Sequence, residues 1–435
     1  MSISLIPHAG KKYAGDLRKK VFRKMKKSKK IVFLTADHKN IADKYLHCWN
    51  TRPLKWMHKM KKKEEHSFLW VKKELTKHYK PIEVYTLGKK WEEKKDLIIN
   101  FLSEKHNKGF LIIGTTDLVH HGPNYNFNRW NKYQQAYKQK YEEKLINSLI
   151  ETNVKGVEKE LQSKSKISCG PRVIKCISIL AEKKNLHGEV IDYYDSTLSK
   201  YEILPYVENF VSYVGIVFSK KEKKKPSLLD INMGLEAIKH AIIYRDIKIP
   251  LPKWSWWNKI KQGVFVGTEK NGNTNCSYGR YENEFTTGEN IISAARDCVK
   301  DARERWKNPY NLLNMDDITY KIELLQDKSK WKTKKARDLR LKKNTKYGIL
   351  LKFKSNGMTM SATYLPNVWK ESLKDIQNVS GVLNKLSEKA GASKNDWKKD
   401  KKSSVLLYTS KKYKTRKKKK KKRLYNGKTR RTIYL

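Results

Sequence analysis

The chain has 435 residues, 38% of them hydrophobic and 11% aromatic, which excludes a wholly disordered protein and allows two to three domains with packed cores. Its formal net charge of +53 favours polyanions such as nucleic acid or an anionic membrane as partners. The five cysteines (Cys48, Cys169, Cys176, Cys276, Cys298) are odd in number, widely spaced and without a CxxC pair, which argues against a disulfide framework or a zinc ribbon.

Apolar runs alternate with helical patterns from the start. "KIVFLTA" (30–36) and "GFLIIGT" (109–115) predict buried strands, continuous in apolar character and ended by small residues. "PIEVYTL" (81–87), "GEVIDYY" (188–194) and "NFVSYVGIVF" (209–218) predict three more. "WEEKKDLIINFLSEKH" (91–106) and "RWNKYQQAYKQKYEEKLINSLIE" (129–151) predict amphipathic helices. This alternation predicts an α/β domain over 1–220 with a largely parallel sheet. "SKKEKKKPSLLD" (219–230) reads as a linker, and Ser227 is placed to cap the helix that follows it.

The second half predicts a strand and turn in "GVFVGTEKNGN" (263–273) and a helix in "ENIISAARDCVKDARERW" (289–306). Strands are predicted in "DITYKIELL" (317–325), "YGILLKFKSNGMTMSATYL" (347–365) and "SVLLYTSKKY" (404–413), with "NGM" as a hairpin turn. A further helix, 379–391, ends on Gly391. Clustered strands between helices predict an α+β domain over 226–410. Residues 398–435 hold 18 Lys or Arg against the single acid Asp400, and 411–435 predicts a disordered basic tail.

In open α/β sheets, ligand sites form beyond the carboxyl ends of the strands. His8 follows "SLIP", Asp37 and His38 follow "KIVFLTA", and Asp117, His120 and His121 follow "GFLIIGTT". Any one such histidine is ordinary as a turn or surface residue. Three strand ends that each deliver one make a metal site a candidate, because imidazole with carboxylate suits iron, zinc or copper.

These segments resemble the Memo-like family. "IPHAGKKYAG" is similar to its "PHAGYxYxG" opening, "FLTADHKN" to "LGPSHH" and "TTDLVHHGPNY" to "SSDFxHWGxxF". "CGPRVIKCISIL" (169–180) resembles its "CG" helix start, and "VSYVGIVF" (211–218) its "VSYAA" strand. The resemblance implies the fold of the class III extradiol dioxygenases and a strand-end pocket, with iron or copper as the implied metal. It places His8 on the first metal-site histidine, His38 on the first of the paired histidines, and Asp117 and His120 on the third motif. Lys39 stands where the family's usual second ligand would be, and Ser199 where its later ligand is expected. Two of the three expected ligands are thus replaced.

The second half resembles the AMMECR-type domain. "GVFVGTEKNGNTNCSYG" (263–279) aligns with "GxFVTLKKNGxLRGCIG", "DAR" (301–303) with "DPR", "SATYLPNVWKE" with "xATYLPEVxxE" and "LNKLSEKAG" with "LxxKAG". The resemblance puts Ser277 at the family's cysteine, Cys276 one position early, and Arg303 on the arginine of "DPR". A residue one step along a strand faces the opposite side, so no thiol stands at the family position, and Cys276 reads as a packed or turn cysteine.

Memo-like and AMMECR-type proteins are encoded beside a radical-SAM protein in many microbes, which implies such a protein as a partner. "KWMHKMKKKEEHSFLWVKKELTKHYK" (55–80) reads either as a phosphate-contacting face or as an amphipathic helix, and "PLPKWSWWNK" (250–259) either as a packed corner or as a partner site. In the tail, Lys417, Lys418, Lys419, Lys420 and Arg423 are the candidate nucleic-acid contacts. The expectation is a Memo–AMMECR fusion acting as a non-catalytic binding or scaffold protein without a cofactor, with non-specific nucleic-acid affinity. The alternatives are a metal-dependent redox enzyme with an altered ligand set, His8, His38, His120 and Asp117, and a basic nucleic-acid-packaging protein of a virion. No apolar run approaches the roughly 18 residues of a membrane span. The expected location is intracellular, in cytoplasm or nucleus, or in a virion.

Overall fold

The computed structural model describes residues 2–25, 28, 30–37, 42, 44–49, 53–55, 57–59, 71, 79–127, 134–164, 167–196, 209–220, 225–243, 251–270, 273–281, 284–306, 318–340, 346–366, 368 and 378–415. It divides into two compact units: Met1–Gly263 with Glu282–Ser293, and Val264–Tyr281 with Ala294–Leu435.

The first unit is built on one mixed sheet. Its strands are Ile3–Ile6 (β1), Ile31–Thr35 (β2), Leu46–Cys48 (β3), His58–Lys59 (β4), Ile82–Leu87 (β5), Leu111–Thr115 (β6), His120–His121 (β7), His187–Asp195 (β8) and Phe210–Ser219 (β9). They run in the order β4-β3-β5-β2-β6-β1-β9-β7, with β8 also pairing β9. The four central strands β5, β2, β6 and β1 are parallel, whereas β9 is antiparallel to β1, β7 and β8. The predicted parallel sheet is therefore its centre, flanked by antiparallel strands. β1, β2 and β6 are buried at every position, which explains why they read as continuous apolar runs rather than alternating ones.

The helices of this unit are Lys11–Lys24 (α1), Lys95–Asn107 (α2), Gln134–Ile150 (α3), Val154–Ser163 (α4), Pro171–Lys183 (α5) and Leu228–Ile243 (α6). α1 packs on β8 and β9, while α5 packs on β1 and β6. Ala14, Leu17 and Val21 of α1 enter the core with Ile6, Phe33 and Ile113. Ser227 caps α6 as expected, in a reciprocal box: the Asp230 amide donates to Ser227 Oγ, and the Ser227 amide and hydroxyl donate to Asp230. The tryptophan corner is packed. Trp254, Trp256 and Trp257 are buried, and Trp257 Nε1 donates to the Asp230 carbonyl. Most of segment 55–80 lies outside the described residues.

The second unit holds two four-stranded sheets. One contains Val264–Lys270 (β10), Asn273–Arg280 (β11), Ile318–Leu325 (β12) and Ser410–Lys414 (β17), in the order β11-β10-β12-β17. The other contains Lys332–Lys335 (β13), Gly348–Ser355 (β14), Met358–Tyr364 (β15) and Ser404–Tyr408 (β16), in the order β13-β16-β14-β15. Helix Thr287–Trp306 (α7) contributes its part from Ala294 onward to this unit, and Val379–Lys389 (α8) and Asp396–Lys399 (α9) belong to it entirely. Val382, Leu383 and Leu386 of α8 pack on Ile349, Leu351 and Phe353 of β14. The predicted hairpin is present: Asn356 and Gly357 both have positive φ, the requirement of a tight two-residue turn.

Two expectations need correction. The single strand predicted over 404–413 is two strands in different sheets, because the chain changes sheets at Thr409. The start of the predicted tail is also ordered, since residues 411–414 pair with β12; positions 416–435, including Lys417, Lys418, Lys419, Lys420 and Arg423, lie outside the described residues. No described helix is long and apolar enough to cross a membrane.

Candidate metal centre

The parallel arrangement of β1, β2 and β6 puts the residues that follow them at one edge of the sheet. His8 leaves β1 and is 7% exposed. Its amide donates to Asp117 Oδ1 at 3.0 Å, and its Nδ1 lies 3.2 Å from Thr115 Oγ1. Its Nε2 lies 3.4 Å from Asp117 Oδ2 and 3.5 Å from Cys169 Sγ. Asp117, after β6, is fixed in turn: its amide donates to Cys169 Sγ at 3.2 Å, and its carbonyl accepts from the Cys169 amide at 3.2 Å. Cys169 precedes α5. The adjacent Gly170 amide donates to Thr116 Oγ1 and Ser168 Oγ, which ties the helix start to the end of β6.

One donor atom from each of His8, Asp117 and Cys169 lies within 4.8 Å of the others, the one such group of three among the described residues. Burial, and after it the Asp117 carboxylate, pushes the Cys169 thiol far above its ordinary range. The free chain therefore holds a neutral thiol there. Burial first, and the Asp117 carboxylate second, raise the phenols of Tyr125 and Tyr213 in the same direction. The thiol also lines a cavity of about 350 Å³ with Thr35, Asp37, Leu87 and Arg172. There Asp37 accepts the Ala42 amide at 3.0 Å and lies 3.7 Å from Arg172.

The structure brings together two of the four predicted metal residues, His8 and Asp117. His120 lies outside the group: its Nδ1 meets the Leu118 carbonyl at 2.9 Å, and its ring meets Tyr125 edge-on. His38, with Lys39 and Ser199, lies outside the described residues. The third donor beside His8 and Asp117 is Cys169, which sequence reasoning used only as a helix-start motif. Its signal was legible: a cysteine at a helix N-terminus, in a segment whose other motifs mark strand ends.

In the second unit, Cys276 and Ser277 point to opposite faces as the strand period requires, Cys276 buried and Ser277 exposed. Cys276 is disulfide-bonded to Cys298 of α7, a pairing that wide spacing in the sequence argued against. The fold supplies the proximity, with the two Cα atoms 5.6 Å apart across 22 residues. Arg303 lies on α7, and its side chain is outside the described residues. The "TYLP" and "KAG" motifs meet: Lys389 Nζ donates to the Thr363 carbonyl at 2.9 Å and sits 4.9 Å from the centre of the Tyr364 ring. Their joint occurrence thus has a packing explanation.

Residues 222–413 match the AMMECR1 family. Among solved structures, the chain is similar to uncharacterized protein PH0010 from Pyrococcus horikoshii, at 17% identity over 42% of this chain and 89% of that one, with a TM-score of 0.34. It is also similar to uncharacterized protein JW3007 from Escherichia coli K12, at 10% identity over 50% of this chain and 99% of that one, with a TM-score of 0.32. No curated protein matches the chain.

Proposed function

We propose that the AMMECR1 domain at residues 222–413 is joined here to a Memo-like pocket domain that binds a transition-metal ion between His8, Asp117 and Cys169. The observation that carries this reading is the convergence of an imidazole, a carboxylate and a thiol from three separate segments. The donor set fits such an ion: imidazole and thiolate suit iron, copper and zinc, and a carboxylate completes the charge. This is the altered-ligand-set alternative with Cys169 in place of His38 and His120, and it is favoured over a non-catalytic scaffold because the donors are gathered rather than dispersed.

A bound iron or copper ion would supply Lewis-acid and one-electron chemistry. The rest is done by the chain. Thr115 engages His8 Nδ1 and leaves Nε2 turned toward Asp117 and Cys169. The His8 amide holds Asp117 Oδ1, so Oδ2 is the oxygen nearest that Nε2. As a ligand Cys169 would have to be deprotonated, so metal uptake would release a proton. The cavity beside Cys169 is of small-molecule size, and Arg172 and Asp37 give it polar groups that can orient a ligand.

The test is metal analysis of the full chain after reconstitution with iron(II) or copper. Wild type should hold about one ion per chain, and His8→Ala and Cys169→Ser should each weaken binding by about tenfold or more. A wild type that holds no ion, or variants that bind as wild type does, would refute the reading.

A further inference from the structure

Arg18 occupies a position on α1 where the helical pattern calls for an apolar residue. The face of α1 turned to the core carries Ala14, Leu17 and Val21, and Arg18 falls on the same stripe. Its side chain is 0% exposed. A guanidinium keeps its charge at all ordinary pH values, so burying one is unfavourable unless acceptors are fixed around it. Two acceptors are the carbonyls on either side of His8: Arg18 Nη1 donates to the Ala9 carbonyl at 2.6 Å and to the Pro7 carbonyl at 3.3 Å.

We infer that Arg18 is a positioning residue for the metal centre, clamping the backbone of residues 7–9 so that His8 Nε2 stays in reach of Asp117 and Cys169. The functional part of this inference rests on the metal-binding reading above; the backbone part rests on the Arg18 contacts alone. The segment is held from two directions. Arg18 grips the carbonyls of residues 7 and 9, and Asp117 takes the amide of residue 8. Thr115 then sets the ring. A side chain that only filled space at position 18 could be an aliphatic one of similar length, and it would leave both carbonyls without this donor.

The experiment compares wild type, Arg18→Met and Arg18→Lys as full chains, with folding checked by circular dichroism. Methionine keeps much of the length and removes the donors, whereas lysine keeps the charge but cannot reproduce the planar fork. Cobalt(II) alone is the probe, because its thiolate charge-transfer band reports ligation by Cys169. Hydrogen exchange of the His8 amide is measured on the metal-free chains. In Arg18→Met, cobalt binding should weaken by about 10- to 100-fold and the His8 amide should exchange faster, with amides of β9 unchanged. Arg18→Lys should fall between Arg18→Met and wild type in both measurements. Wild-type cobalt affinity together with wild-type His8 exchange in folded Arg18→Met would overturn the inference. If Arg18→Met does not fold, Arg18→Lys decides in the same way, and wild-type values in it overturn the inference. If wild type takes up no cobalt, the metal reading fails on its own, and His8 exchange in the variants still decides whether Arg18 holds the loop.

Discussion

Replacing Gly114 with alanine tests how tightly packing and site are linked. Gly114 lies on β6 under α5, and a Cβ added there would meet Ile177 Cγ1 at 2.6 Å and Val173 Cγ1 at 2.8 Å. Ordinary contact begins near 3.4 Å, so α5 or its side chains must give by about 0.8 Å in a densely packed layer. Overpacking of this kind costs about 1–3 kcal/mol. Alanine returns about 0.5–1 kcal/mol of backbone entropy relative to glycine, leaving a net loss of up to about 2.5 kcal/mol. For a unit of this size that lowers the melting temperature by up to roughly 10 °C. The displaced helix begins two residues after Cys169, so its movement should also lengthen the 3.5 Å approach of Sγ to His8 Nε2. Differential scanning calorimetry with a parallel cobalt titration measures both effects. A melting temperature that stays level or rises, with unchanged cobalt affinity, would refute the argument that α5 is seated by the absence of a side chain at 114.

Cys169 should make the metal-free chain sensitive to alkali. Its folded thiol is raised above the ordinary value of 9.0, by burial first and Asp117 second, so its contribution to stability is complete below about pH 9 and is lost as the pH rises further. Wild type should therefore lose stability relative to Cys169→Ser by up to about 1.4 kcal/mol per pH unit above that point, and parallel melting curves would count against a buried neutral thiol. Opening the Cys276–Cys298 bridge with Cys298→Ser should destabilise the second unit by about 2–4 kcal/mol, given the 22-residue separation; urea denaturation that is the same with and without the bridge would contradict this. Truncation after Ser410 should lower the melting temperature relative to truncation after Thr415, because only the former removes the strand that pairs with β12. Equal melting temperatures for the two truncations would show that this pairing adds nothing.

Much of the first unit was legible because its chemistry is local. Strands such as Ile31–Thr35 and Leu111–Thr115 are buried on both faces, so each is an unbroken apolar run that needs no knowledge of its neighbours. The Ser227 cap, the Asn356–Gly357 turn and the opposite facing of Cys276 and Ser277 depend on spacings of a few residues, and spacing is what a sequence displays. The positions of His8 and Asp117 were legible for the same reason, as residues that follow strands.

The sequence by itself therefore determined the long apolar strands, the Asn356–Gly357 turn, the likeness of residues 222–413 to the AMMECR1 family and the strand ends at which a site could form. Only the tertiary structure decided which groups meet there. Cys169 lies 161 residues from His8 and joins it because β1 and β6 are adjacent and α5 starts at their shared edge. The change of sheet at Thr409 and the bridge between Cys276 and Cys298 are likewise set by pairings between distant segments. So is the burial of Arg18, a charged residue whose place on an apolar stripe makes sense only beside the carbonyls of Pro7 and Ala9. Periodicity states which face of an element is buried; contact between faces is fixed by the order in which the strands assemble.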